Sequence, residues 1–142
     1  MRSLSRQEID KLKLLTEKSI ELCLIEPTKN GLEKSIMDAT STVRTYLKSN
    51  AIHNYEDQKQ GPENKIQISS FIMLSDKALP SNCSLYRPNT KNGDPRIWFK
   101  GLGSHTNAND ILGVIAYEKK MFVINITQLD LEKLLTEQNS NP

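Results

Sequence analysis

The stretch Tyr86-Arg87-Pro88-Asn89-Thr90-Lys91-Asn92-Gly93-Asp94-Pro95-Arg96-Ile97-Trp98-Phe99-Lys100-Gly101-Leu102-Gly103 opens as a strand end and turns through Asn-Gly-Asp-Pro. It then runs on as a second strand alternating Arg, Ile, Trp, Phe and Lys. Successive side chains of a strand face opposite ways, so Arg96, Trp98 and Lys100 share one face. Ile97 and Phe99 take the other face and can enter a core. The pattern predicts a hairpin with one buried side and one basic, aromatic side.

On either side of it, β-branched and aromatic residues bounded by turn signals predict further strands. These are Ile66 to Leu74, Leu85-Tyr86, Ile111 to Tyr117 and Met121 to Ile126, with Glu118-Lys119-Lys120 closing the last two as a hairpin. The amino-terminal fifty residues read differently. Ser5 with Glu8 fits a capping box, with Leu4 stapling onto Ile9, and Ile9, Leu12, Leu15, Leu22 and Cys23 recur at helical period before Pro27. Asn30 with Glu33 suggests a second cap, ahead of a stripe through Leu32, Ile36, Ala39, Val43, Tyr46 and Leu47. Thr127 is expected to cap a last short helix through Leu135, with Asp130 in the box position. The expected fold class is therefore α+β: a helical lead, then a mostly antiparallel β unit. The expected boundaries are 1–50 for the lead, 51–136 for the β unit and 137–142 for a frayed tail.

Composition bounds the function. The chain has 142 residues, 37% hydrophobic and 25% charged, with a net charge of +2, which fits one ordinary folded domain. No apolar run approaches the ~18 residues of a membrane span, and Met-Arg-Ser-Leu-Ser-Arg-Gln-Glu, without an apolar stretch or cleavage site behind it, is not expected to be a secretory signal. Cytoplasmic location, no membrane partner, and two free buried thiols at Cys23 and Cys83 are the corresponding expectations. Charge is concentrated locally: residues 84–105 hold Arg87, Lys91, Arg96 and Lys100 against Asp94 alone. A cationic patch of this kind attracts phosphates more effectively than total charge does.

These residue types suit a DNA groove. Arginine reads guanine bidentately, asparagine or glutamine reads adenine, and aspartate accepts from the cytosine amino group. Asn92, Asp94 and Arg96 supply that set in the hairpin, and His53, Asn54, Gln58, Gln60, Asn64 and Lys65 supply it in the polar loop at 53–65. Lys59, Lys65, Arg87 and Lys91 are the expected phosphate contacts. Arg96, Asn92, Asp94, Gln58, Gln60 and His53 are the expected base readers, with Trp98 supporting the hairpin or meeting a sugar or thymine methyl. His105, in a Ser-His-Thr-Asn loop, is expected to be a plain surface residue.

The run Arg87…Lys91-Asn92…Arg96-Ile97-Trp98, the exit Gly101–Gly103 and the strand Ile111–Ala116 resemble the amino-terminal effector domains of EcoRII-type restriction endonucleases. The Tyr-Arg-Pro…Thr-Lys…Gly-Asp-Pro-Arg-Ile-Trp pattern is also similar to the domain fused to MvaI/BcnI-like nucleases of the UbaLAI type. The likeness spans roughly residues 52–126 and leaves the first fifty unexplained. It implies a DNA-binding pseudobarrel of the plant B-three type, with arms at His53–Lys65 and Arg87–Lys100. It further implies double-stranded DNA as partner, a target near CC(A/T)GG, and a type IIE arrangement. There, occupancy stimulates a separate nuclease domain of the same protein. This chain is then non-catalytic and carries no cofactor, Mg²⁺ being expected only for the nuclease domain.

Three other readings stay open. Asp57 with Glu63-Asn64-Lys65 satisfies the letter of a Mg²⁺-dependent nuclease site, although Gly61-Pro62 sits directly before Glu63. Tyr55, Tyr86 and Trp98 are stacking candidates for single-stranded DNA or RNA. The amphipathic helices of residues 5–47 are a docking surface if this is a protein-interaction module.

Overall fold

The computed structural model describes residues 1–133. Helix α1 (Arg6–Glu17) begins on the expected capping box, with Ser5 Oγ accepting from the Glu8 amide and Glu8 accepting from the Ser5 amide. It ends earlier than Pro27. Ser19 turns left-handed at φ 62°, and the Ile20 amide donates back to the Leu15 carbonyl at 3.1 Å, a Schellman closure made by serine instead of glycine. The last residues of the expected stripe are therefore not helical. Cys23 starts a strand, β1 (Cys23–Ile25), whose buried-half-buried-buried pattern matches a strand facing a core.

The expected second helix is also divided. Thr28, not Asn30, caps a short α2 (Lys29–Lys34) by accepting from the Gly31 amide. Ser35, left-handed at φ 59°, stops it. Strand β2 (Met37–Asp38) and helix α3 (Ser41–Ser49, capped by Thr40) follow. The stripe misled because Ala39, Val43 and Leu47 are all buried, yet Ala39 lies between β2 and α3 and only Val43 and Leu47 reach the core from that helix.

The remaining strands are β3 (Ile66–Met73), β4 (Ala78–Tyr86), β5 (Arg96–Phe99), β6 (Leu112–Tyr117) and β7 (Lys120–Asn125). Strand β4 is far longer than Leu85-Tyr86, since it pairs with β3 along the whole of that strand. Its outer half, Ala78-Leu79-Pro80-Ser81-Asn82, has no apolar alternation and contains a proline, so it gives no strand signal. The β6–β7 hairpin turns on Glu118 and Lys119, both at positive φ, as a tight two-residue loop requires.

All seven strands join one sheet in the order β1-β6-β7-β3-β4-β5-β2. It is mixed: β3 and β7 run parallel, while the other pairings are antiparallel. The two edge strands both come from the amino-terminal lead, so that lead is built into the sheet as well as packed on it. Residues 26–36, including α2, join one edge to the other. The sheet curls into a half-barrel that brings Ile25 and Met37 into one cluster with Val43, Leu47, Leu85, Ile97, Phe99, Leu112, Val114 and Val123. A second cluster lies outside the curl, where Leu12 and Leu15 of α1 pack near Ile111, Ile124, Ile126 and Leu129.

Thr127 does not cap a helix. Its hydroxyl accepts from the Ile111 amide at 2.8 Å and donates to the Glu8 carboxylate. Asp130 caps the helical turn at 131–133 instead, accepting from the Lys133 amide at 3.0 Å. The rest of the expected terminal helix and the expected frayed tail lie outside the described residues. Among the described residues, no helix is long and apolar enough to cross a membrane.

Candidate nucleic-acid interface

Strand alternation positions the site. Ile97 and Phe99 are fully buried, as their spacing predicts, so Arg96 must point to the opposite face. Register then sets its neighbours. Arg96 lies opposite Tyr86 on β4 and opposite Asp38 on β2. Lys65, just before β3, stands over the Tyr86 ring at 4.7 Å, a cation–π contact. A transverse row Lys65–Tyr86–Arg96–Asp38 thus crosses four neighbouring segments.

Three members of this row, Tyr86, Arg96 and Asp38, line an open groove of about 520 Å³. One wall is the hairpin at 86–96, through Pro88, Thr90, Lys91 and Asp94. The other is the bridge between the sheet edges, through Glu26, Thr28, Asn30 and Lys34. The walls present cations, carboxylates, amides and hydroxyls in alternation, a surface able to exchange hydrogen bonds with a polar ligand.

Arg96 is the deepest of the cations. Its side chain is 13% exposed, and Nη1 meets the Asp38 carboxylate at 3.4 Å, whereas the Asp38 side chain is 77% exposed. Arg96 Nε is buried without a hydrogen-bond partner. The Arg96 carbonyl accepts from the Tyr55 hydroxyl at 2.9 Å, anchoring the strand from behind. Burial keeps the Tyr55 and Tyr86 phenols protonated, pushing both above the ordinary tyrosine value. Trp98 is half-buried against the main core, and Lys100 is exposed at the end of the strand.

The hairpin tip is sharply folded. Lys91, Asn92 and Gly93 all adopt positive φ, at 48°, 57° and 70°. This turns the exposed Lys91, Asn92 and Asp94 outward while Gly93 is buried. A side chain at Gly93 is strained by the positive φ, and its Cβ would lie 2.6 Å from the Gln60 side chain, which would have to move aside.

The loop at 53–65 is folded in rather than extended. Tyr55 and Gln58 are buried, which the absence of apolar period in this stretch did not foretell. The Gln58 amide nitrogen donates to the Asn64 and Leu85 carbonyls, both at 2.9 Å. Its Oε1 is therefore the acceptor toward His53 Nε2 at 3.0 Å, which fixes the proton on that ring nitrogen. Asn64 donates to the Gln60 carbonyl, and the Asn54 amide donates to Asp57. Asp57 and Glu63 fall in two separate single-turn 3₁₀ segments, at Tyr55–Asp57 and Pro62–Asn64, and neither lies on a core strand. Lys59 is exposed, but the stretch as a whole holds Glu56, Asp57 and Glu63 against two lysines.

Arg87 ties the two loops together. Nε donates to the Gly93 carbonyl at 2.9 Å and Nη1 to the Gln58 carbonyl at 3.0 Å, while the Gly61 amide donates to the Arg87 carbonyl at 2.8 Å. Gln58 and Arg87 are thereby engaged in holding the protein's own backbone, and His53 in holding the Gln58 side chain. Asn92, Asp94, Lys91 and Arg96 share the groove or its tip with Tyr86. His105 is half-buried, its carbonyl accepting from Asn125 at 3.1 Å, well away in sequence and contacts from this row.

Of the groove residues, Lys34 and Asp38 fall in the expected second helix and Asn30 at its expected cap, while Thr28 lies before it. The composition Pro27-Thr28-Lys29-Asn30-Gly31 was the available signal, since it is that of a turn. Nothing in the sequence marked Asp38 as the cross-strand partner of Arg96. No protein-family model, no curated protein and no solved structure matches this chain.

Proposed function

We propose that this chain is a non-catalytic, sequence-specific double-stranded DNA-binding domain, using the groove between residues 26–38 and 86–96. The observation that carries the reading is the Lys65–Tyr86–Arg96–Asp38 row, flanked by a hairpin holding four cations against one carboxylate between residues 84 and 105. Phosphates are met by Lys34 and Lys91, which are exposed in the groove walls, and by Lys100, exposed beyond the far end of β5. Base edges are met by Arg96, Asn92 and Asp94. The loop at 53–65 serves this reading differently from a free arm: through Arg87 and Gln60 it supports the hairpin from the side.

The half-barrel with an arm between β4 and β5 supports a B-three-like pseudobarrel. The resemblance to EcoRII-type effector domains supports a role beside a nuclease domain of the same protein, stimulated when this domain is occupied. CC(A/T)GG is the target to try first. Tyr55 is buried, so of the three stacking candidates only Tyr86 and Trp98 retain any accessible surface, which favours groove reading over single-strand binding.

Fluorescence anisotropy tests the reading with a CC(A/T)GG duplex, a scrambled duplex and one of the component strands, each at 50 and 200 mM salt. The expected result is duplex binding that weakens steeply with salt, with the component strand the poorest ligand. Absence of duplex binding at 50 mM salt, or preference for the single strand, overturns it.

A further inference from the structure

We infer that Asp38 is a specificity-determining residue that makes Arg96 a reader of neutral base edges and not a phosphate contact. The inference rests on the DNA reading above and deepens it. Asp38 and Arg96 are directly opposed across the β2–β5 ladder, and their neighbours Met37 and Ile97 are both buried in the core. The strand backbones therefore hold the pair in place. The carboxylate is the exposed partner, at 77%, and the guanidinium the sheltered one, at 13%.

That asymmetry has an electrostatic consequence. An approaching phosphate would meet the exposed Asp38 charge before it reached the arginine behind it. Opposed unit charges a few ångströms apart nearly cancel for a third charge at the groove mouth, while repulsion from the nearer one remains. Guanine O6 and N7 carry only partial negative charge and are repelled far less than a phosphate. The pair thus offers little to the sugar–phosphate chain, while the guanidinium donors not turned toward Asp38 remain for a base edge. Arg96 Nε is a buried donor with no partner in the free protein. A small rotation that delivers it to an acceptor removes an existing desolvation penalty. Asp38 itself has acceptor capacity left for an exocyclic amino group of cytosine or adenine on a neighbouring base. The chemistry fitted is therefore a guanine next to a base bearing an amino group.

The test is selection from duplexes with a randomised ten-base-pair core, comparing the unmodified chain with Asp38→Asn, Arg96→Lys and Arg96→Ala. Thermal melting of each variant checks that it folds. The unmodified chain is expected to enrich a motif with guanine at one position. Asp38→Asn is expected to bind the unselected pool at least as tightly, with a steeper salt dependence, and to lose preference at that position by roughly tenfold. Arg96→Lys, which keeps the charge but not the fork, loses the same position. A motif in the unmodified chain that Asp38→Asn reproduces with equal stringency and equal salt dependence overturns the inference while leaving the DNA reading standing. Failure of the unmodified chain to enrich any motif overturns both.

Discussion

Arg87 donates through Nε to the carbonyl of Gly93, 2.9 Å away, and so closes the hairpin at 87–94 with a side chain from its own base. The same guanidinium reaches the Gln58 carbonyl at 3.0 Å, which couples the hairpin to the loop at 53–65. Arg87→Ala is expected to cost roughly 1.5–3 kcal/mol, the range for hydrogen bonds to a charged group. Arg87→Lys recovers only part, because a single ammonium cannot span both loops as a planar fork does. Urea denaturation of the three proteins checks this; equal midpoints would show the clasp to be unimportant.

Gly93 sits at φ 70° with Gln60 packed on its α-carbon. Gly93→Ala therefore meets two penalties, about 1–2 kcal/mol for the left-handed backbone and a further one for the collision. Adding Gln60→Ala should relieve the second and leave the first. A double-mutant cycle that shows no coupling between these positions contradicts the packing.

Glu8 accepts from Arg2 at 2.8 and 2.6 Å, from the Ser5 amide at 2.8 Å, and from Thr127. The Arg2 guanidinium, with Thr127 and the Ser5 amide, holds this carboxyl far below the usual carboxylate range despite its burial. Its folded pKa lies below its unfolded one. The stability it contributes is thus fully present above the ordinary carboxylate value and is lost as pH falls through and below it. Glu8→Gln should lower stability at pH 7 by about 1–3 kcal/mol. It should also flatten the acid limb of a stability–pH curve measured by chemical denaturation. An unchanged acid limb would exclude Glu8 from that role.

Lys91, exposed at the hairpin tip, is expected to act on phosphate. Lys91→Ala should weaken cognate and scrambled duplexes alike and reduce the slope of log K against log salt by roughly one. Lys48, whose closest acid is Glu56 at 4.0 Å on another surface, provides the control, and Lys48→Ala should leave the slope unaltered. Selective loss of cognate binding in Lys91→Ala would instead make this residue a base reader.

The strands were legible where one face is buried. Ile97 and Phe99 alternate with Arg96 and Trp98, and that alone predicted which side of β5 enters the core. The α+β class followed from the same periodicity, and the capping box at Ser5 and Glu8 located the start of α1. The amino-terminal half was misread because strand edges and helices can share one apolar spacing. Cys23 fits a helical stripe, yet it is held by a partner distant in the chain, Val114, and Met37, which the second stripe skips, is held by Ile97. Left-handed Ser19 and Ser35 end α1 and α2 where a glycine would have been readable and a serine is not. The hairpin half of the site could be read locally. Its other wall could not, since Asp38 meets Arg96 only through the closing of the sheet.

The central claim is that duplex DNA occupies the groove between 26–38 and 86–96, and amide chemical-shift mapping of ¹⁵N-labelled protein tests it most directly. Titration with a duplex at low salt should move resonances of Thr28, Asn30, Lys34, Asp38, Lys91, Asn92, Asp94 and Arg96 while leaving Ile20, Tyr117 and Phe122 in place. Those last three line a separate hollow. Perturbations centred on that hollow, or on Lys59 and Asp57 without the hairpin, would contradict the account.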